Sequence, residues 1–258
     1  MQACSTSPTI EFRGVSFRVG ETQILHDFSL AVKRGELLVL LGRSGSGKTS
    51  TLKLINRLLE PTAGHIFVNG VRNSDADVIR LRRSIGYVIQ EIGLFPHFTV
   101  ARNIGLVPKI EGWAEPRIRA RVAELLQLTG LDPSLATRYP HQLSGGQRQR
   151  VGVARALAAD PEILLMDEPF GALDPLTRDE LQREFLSLQR RLGKTVVFVT
   201  HDLHEAMRLA TRIGLMEAGK LVVVLTPQEF LQSTDPWAEA YVRAFKDQFD
   251  SNSTEGKS

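Results

Sequence analysis

A chain of 258 residues can bury a sizeable core without metal or disulfide staples, and 42% hydrophobic with 24% charged residues excludes the collagen-like, disordered and disulfide-rich classes. Its 32 basic and 29 acidic residues leave a net charge of +3, too balanced for bulk attraction to nucleic acid, so no nucleic-acid partner is expected. The single Cys4 has no intramolecular disulfide partner, no apolar run is long enough to cross a bilayer, and residues 1–9 lack the basic and apolar stretches of a secretory signal, which together point to a soluble protein of a reducing compartment.

After that polar leader, partial alternation predicts strands over 10–17 and 24–32 around the turn Gly20-Glu21-Thr22. Leu37-Leu38-Val39-Leu40-Leu41 has no alternation, as a strand buried on both faces should read. Glycines crowd into 42–47, and Leu52, Ile55 and Leu59 carry helical spacing over 48–59, ended by Pro61 and Gly64. Strands over 65–68 and 84–89 flank a short basic helix over 77–83. From about 91 to 160 no parallel-core strand is expected; Ile118, Val122, Leu125, Leu126 and Leu128 form the stripe of a helix over 115–128, and another runs over 147–158, together a helical insert. The core resumes with strands over 163–166 and 195–199 around a helix over 176–192. An antiparallel pair over 213–216 and 221–224, short helices after Pro227 and Pro236, and a frayed polar tail over 250–258 complete the chain. Alternating buried strands and helices define an α/β fold.

Gly42-Arg43-Ser44-Gly45-Ser46-Gly47-Lys48-Thr49 is a complete G-x-x-x-x-G-K-[ST] pattern between a buried strand and a helix, with Ser50 following. Small residues let backbone N–H groups and the helix N-terminus approach phosphate, while Lys48 supplies a cation and the Thr49 hydroxyl a ligand for Mg²⁺. The bare pattern arises by chance in a chain this long roughly 1% of the time, before its strand and helix context is added. Asp167-Glu168 closes the buried strand over 163–166 with two carboxylates whose side chains should diverge by alternation. Asp167 can support Mg²⁺ and Glu168 can activate water for γ-phosphate cleavage, a solvated strand end being the lesser reading of an isolated pair.

Leu143-Ser144-Gly145-Gly146-Gln147-Arg148-Gln149-Arg150 resembles the signature of the ATP-binding cassette family, at the family's expected place before Asp167. Gln90 matches its Q-loop glutamine, Ala172-Leu173-Asp174 its D-loop and His201, after Phe198-Val199-Thr200, its switch histidine. The resemblance covers 10–245 and implies a P-loop NTPase core of cassette type with an antiparallel β subdomain and an inserted helical subdomain about 91–160, between a flexible leader 1–9 and tail 246–258. It implies ATP and Mg²⁺ as cofactors, Lys48, Gln90, Glu168 and His201 as catalytic residues, and Thr49, Gln90 and Asp167 at the metal. Ser144, Gly145, Gly146 and Gln147 would meet the nucleotide held by a second ATPase subunit, with Asp174 shaping the interface. Val19 falls where the family often carries an aromatic residue against adenine; it can pack on a base face but has no π surface.

The resemblance further implies a transmembrane permease on separate chains, indirectly an extracytoplasmic solute-binding protein, and a place at the cytoplasmic face of a bacterial membrane. The apolar Ile92-Gly93-Leu94-Phe95-Pro96-His97-Phe98 is the candidate permease socket, core filling being the other reading. Asn56-Arg57-Leu58-Leu59-Glu60-Pro61-Thr62, the run Gly86 to His97 and the run Phe170 to Arg178 are similar to the osmoprotectant branch, importers of glycine betaine, carnitine or choline. Many of that branch carry a C-terminal regulatory pair of cystathionine-β-synthase-type domains, for which this chain is expected to stop too soon. The alternatives are an importer ATPase for an amino acid or sulfonate, and a cassette ATPase acting on DNA or ribosomes.

Overall fold

The computed structural model describes residues 7–255, with side chains described to residue 245. In chain order the elements are β1 (Ile10–Val19), β2 (Thr22–Val32), β3 (Leu37–Leu41), α1 (Lys48–Ile55), β4 (Ala63–Val68), β5 (Val71–Arg72), α2 (Val78–Arg83) and β6 (Ile85–Val88). Then follow α3 (Val100–Ile104), α4 (Leu106–Ile110), α5 (Glu115–Leu128), α6 (Gly145–Leu157), β7 (Ile163–Asp167), α7 (Pro175–Leu192) and β8 (Thr195–Thr200). The chain ends in α8 (Leu203–Leu209), β9 (Arg212–Glu217), β10 (Lys220–Leu225), α9 (Pro227–Leu231) and α10 (Pro236–Glu255). This is an α/β fold with one antiparallel and one mixed sheet, and the backbone contacts divide it into two compact units: 1–72 with 197–258, and 73–196.

In the first unit, β1 and β2 form an antiparallel ribbon with Ile10 opposite Val32 and Val19 opposite Thr22, in a sheet ordered β2-β1-β4-β5. Phe12 and Phe28 meet edge to face at 5.2 Å on its buried side. Alternation slips after Phe12 because Gly14 (φ 56) makes a bulge, and a Cβ on Gly64 would lie 2.2 Å from Gly14 O, so the two backbones touch there. β3 is buried at all five residues and runs parallel to β9, Leu38 opposite Arg212 and Leu41 opposite Leu215. β9 returns antiparallel into β10 through Ala218 (φ 46) and Gly219 (φ 77), two left-handed residues of the kind a tight hairpin requires. Glu36, 4% exposed, takes both a 2.6 Å and a 2.9 Å bond from the Arg212 guanidinium, whose Nη2 also donates to Ala31 O at 2.8 Å.

The second unit pairs β6 and β7 in parallel, Ile85 opposite Ile163 and Val88 opposite Met166. Between these strands its described residues are helical or irregular, as the expected insert requires. Ile118, Val122, Leu125 and Leu126 of α5 are buried. Arg150 of α6 ties the helices together, pairing with Glu180 and Glu184 of α7 and donating to Thr129 O after α5. Among the described residues no helix is long and apolar enough to cross a membrane.

Several expected boundaries move. The first helix stops at Ile55 rather than Leu59: Leu58 N and Leu59 N both turn back to Lys53 O, Arg57 is left-handed (φ 57), and Leu58 is exposed. Residue 77 is a cap, Asp77 accepting from Arg80 N at 2.8 Å. β4 starts at Ala63, so Gly64 lies inside a strand where it was expected to stop a helix. The strand expected over 84–89 is only Ile85–Val88, and α6 starts at Gly145, two residues before the expected 147. The tail expected to fray from 250 is helical through Glu255, while 256–258 fall outside the described residues. Of the leader, 1–6 lie outside them too; Thr9 is buried and joined to Val32 and Asn69 through backbone bonds.

Candidate functional site

The first unit holds the glycine-rich loop expected to bind phosphate. β3 ends at Leu41 and α1 begins at Lys48, so 42–47 must turn from an extended to a helical direction in six residues. A Cβ on Gly42 would lie 2.3 Å from Met216 O and 2.6 Å from Ser46 Oγ, and one on Gly47 (φ 95) 2.7 Å from Leu25 Cδ2. Gly45 has nothing near its missing Cβ; there φ 82 alone favours glycine. Lys48, 5% exposed, donates from Nζ to Gly42 O and Arg43 O, both at 2.8 Å, so the loop's own carbonyls hold the ammonium. Ser46 Oγ is buried without a hydrogen-bond partner. Such an unsatisfied hydroxyl, a cradle with no room for Cβ and a held cation are what a bound phosphate chain would complete.

The same unit carries His201, exposed on the turn between β8 and α8. That turn is braced by residues the sequence reading missed. Thr200 Oγ1 donates to the buried Glu205 carboxylate at 2.5 Å and accepts from Asp202 N at 3.0 Å, while Asp202 accepts from His204 N at 2.7 Å. Asp202 caps α8, as an acidic residue just before an apolar helix start can; the Thr200–Glu205 bond has no local sequence signal beyond an acidic residue on the buried side of α8. Val19 ends β1 at 60% exposure.

The second unit presents the carboxylates. Asp167 is the last residue of the fully buried β7 and only 3% exposed, whereas Glu168 leaves the strand with φ 42. Glu168 thus lies past the strand on left-handed backbone, so strand alternation does not set its direction as expected. Gly171 N returns to Glu168 O at 3.2 Å, and a Cβ on Gly171 would sit in ordinary contact with Glu168, 3.5 Å from its O and 3.9 Å from Oε2. Tyr87 of β6, which no motif marks as a site residue, donates its phenol to the Asp167 carboxylate; burial first, then that charge, pushes the phenol up, so it stays a donor at neutral pH. Gln90 sits exposed in the turn after β6.

Ser144 caps α6 reciprocally: Ser144 Oγ accepts from Gln147 N at 3.2 Å, and Gln147 Oε1 accepts from Ser144 N at 3.0 Å. Gly145 and Gly146 form the first turn. A Cβ on Gly146 would lie 2.8 Å from Thr177 Cγ2, so this helix start packs on the start of α7. Asp174 caps α7 through Thr177 N at 3.1 Å, and that bond holds its carboxyl below the usual range. Phe95, His97 and Phe98 cluster edge to face or tilted, with Arg102 over the Phe98 ring at 3.8 Å and Phe95 40% exposed. Buried Asn103 fastens this loop, accepting from Phe95 N and donating to Phe95, Phe98 and Thr99 carbonyls. Beside Arg102 and Thr99 a largely apolar cavity of about 740 Å³ opens between α3, α4 and α5.

A glycine-rich strand-to-helix loop in one unit, with a strand-end carboxylate and a glycine-started capped helix in the other, is the set of parts that a cassette-type P-loop fold carries. The chain belongs to the ABC transporter family, whose model matches residues 25–171. It is 53% identical over 224 residues to the choline transport ATP-binding protein OpuBA of Bacillus subtilis, covering 86% of this chain and 59% of that one. Against the glycine betaine uptake system ATP-binding protein YehX of Escherichia coli it is 52% identical over 236 residues, 92% of this chain and 76% of that one. The chain thus spans 56 to 59% of the length of the Bacillus subtilis relatives OpuBA and OpuCA. Among solved structures it resembles a dimeric post-hydrolysis state of the cassette MJ0796 bound to ADP and Pi (TM-score 0.76, 34% identity, 84% of this chain and 98% of that one). CbiO1 from Clostridium perfringens, part of the transporter complex cbiONQ, matches at a TM-score of 0.81 with 28% identity, over 88% and 92% of the two chains.

Proposed function

We propose that this chain is the ATP-hydrolysing subunit of an importer for a small quaternary amine such as glycine betaine, carnitine or choline. It would work as a pair of ATPase subunits at the cytoplasmic face of the membrane, with permease chains supplied by a solute-binding protein. The observation that carries the reading is the loop in which Gly42 and Gly47 exclude any Cβ and the Lys48 ammonium is held by loop carbonyls. The names of the relatives support the solute class.

On this reading Lys48 neutralises the β- and γ-phosphates of ATP, backbone N–H groups of Arg43 to Ser50 cradle them, and Val19 packs on the base. Thr49, Gln90 and Asp167 offer a hydroxyl, an amide oxygen and a carboxylate, the hard oxygen donors that suit Mg²⁺. Held there, Mg²⁺ would supply charge neutralisation for the transferring phosphoryl group. Tyr87 keeps the Asp167 carboxylate oriented. Glu168 accepts the proton of the attacking water, and His201 contacts the γ-phosphate and that water. From a second copy, Ser144, Gly145, Gly146 and Gln147 close over the γ-phosphate, with Asp174 at the shared face. Phe95 to Phe98 and the adjoining cavity receive the permease, because exposed aromatics fixed by Asn103 make a rigid anchor.

Reconstitution of the chain with its permease and binding protein in vesicles tests this. Uptake of labelled glycine betaine, carnitine or choline should depend on internal Mg-ATP and release phosphate in proportion. ATP-driven uptake of an amino acid or sulfonate with none of the three amines would overturn the solute assignment.

A further inference from the structure

The signature helix carries one side chain that the roles above leave unused. Arg155, in the last turn of α6, lies within the run Val151-Gly152-Val153-Ala154-Arg155-Ala156-Leu157, and burial draws its guanidinium below the ordinary value. Its fork is spent on two backbone carbonyls: Nη2 donates to Ile92 O and Nη1 to Gly93 O, each at 2.6 Å. Those carbonyls close the turn that holds Gln90, in which Ile92 N returns to Ile89 O at 3.0 Å and Gly93 N to Glu91 O at 2.5 Å.

The turn does not hold its own shape cheaply. Ile92 and Gly93 both have φ 55, a left-handed conformation that is uncommon for a β-branched residue and persists where surroundings over-determine it. The surroundings here are α6. A Cβ on Gly152 would lie 2.9 Å from Ile92 Cγ2, so the helix backbone comes right up to the turn, and Arg155 grips it one turn further along. A planar fork reaches two adjacent carbonyls at once; a lysine ammonium, a single point on a flexible stem, does not reproduce that geometry.

We infer that Arg155 is a positioning residue that fixes the Gln90 turn to the signature helix, so that displacement at Phe95 to Phe98 reaches Gln90 and Ser144 as one movement. The inference deepens the proposed function and rests on its reading of Gln90. In the full transporter, Arg155→Lys should retain affinity for a fluorescent ATP analogue and its thermal midpoint, yet lose about 10-fold in solute-stimulated turnover. Gln90→Ala should lose stimulation as well, and the double variant should be no worse than the poorer single one, because residues acting as a unit are not additive.

Unchanged stimulation in Arg155→Lys, or losses that multiply in the double variant, overturns the inference. A fall in nucleotide affinity and thermal midpoint together, with stimulation ratio preserved, also overturns it by showing a structural role alone. Should Arg155→Lys fail to fold, Gly93→Ala carries the same test from the other side, since at φ 55 an L side chain strains the backbone of that turn. A wild-type complex that lacks amine-stimulated hydrolysis counts against the proposed function itself, and basal turnover in the same preparation separates the two failures.

Discussion

Lys48 and Glu168 are fixed by opposite means, and their substitutions should fail differently. Lys48 is buried and held by two carbonyls, so Lys48→Ala removes the cation proposed to meet phosphate while leaving β3 and α1 packed. Phosphate release at saturating Mg-ATP should fall to near background, and near-normal turnover would exclude the phosphate role. Glu168 stands just past a strand end on left-handed backbone, a conformation that costs energy and is common at functional positions. Glu168→Gln keeps the shape but cannot accept the proton of water, so hydrolysis should fall about 10²- to 10⁴-fold while ATP binding survives. Both residues were readable in the sequence as motif members. The φ of Glu168 was not, because period-two reasoning assumes that the strand continues, and here it ends at Asp167.

Among elements, the ones legible in advance were those whose pattern is long or uninterrupted: the five-residue apolar β3, the stripe of α5, and the hairpin around Ala218-Gly219. What escaped depends on partners distant in sequence or on competing local bonds. Leu59 fits the helical spacing of α1, yet the backbone closes on Lys53 O first. The apolar run Ile92 to Phe98 read as socket or core; its shape comes from Asn103, whose side chain is 0% exposed and spans both ends of the loop, and nothing in its own neighbourhood announces that. Asn103→Ala should therefore strand the Phe95 amide and the Phe98 carbonyl, destabilise the chain by about 1 to 3 kcal/mol and loosen this loop. Denaturant unfolding measures the first effect. Limited proteolysis near Phe98 measures the second, and protection equal to wild type would show that the aromatic contacts alone shape the loop.

At the scale of the whole molecule, one ion pair and one symmetry argument matter. Glu36 and Arg212 join the start of β3 to β9, and Glu36→Ala removes the acceptor of two bonds from the half-buried guanidinium and one from Lys33 N, which should cost about 1 to 2 kcal/mol and lower the thermal midpoint. The assembly prediction follows from symmetry. If Ser144 serves the nucleotide bound by the Lys48 of a partner copy, two subunits must exchange surfaces in a self-complementary way. A heterodimer of one Lys48→Ala subunit and one Ser144→Arg subunit then contains one site with Lys48 and Ser144 both intact, and a second site that collects both lesions. Each homodimer contains two damaged sites. Nucleotide-dependent closure, followed by a distance probe on the faces carrying Ser144, should reappear in the heterodimer at one site and be absent from both homodimers. If Ser144 instead served its own subunit's nucleotide, both sites of the heterodimer would carry one lesion each, and closure would be as poor as in the homodimers. Closure rather than turnover is the measurement to make, because coupling between the two sites can hold hydrolysis down even where one composite site is whole.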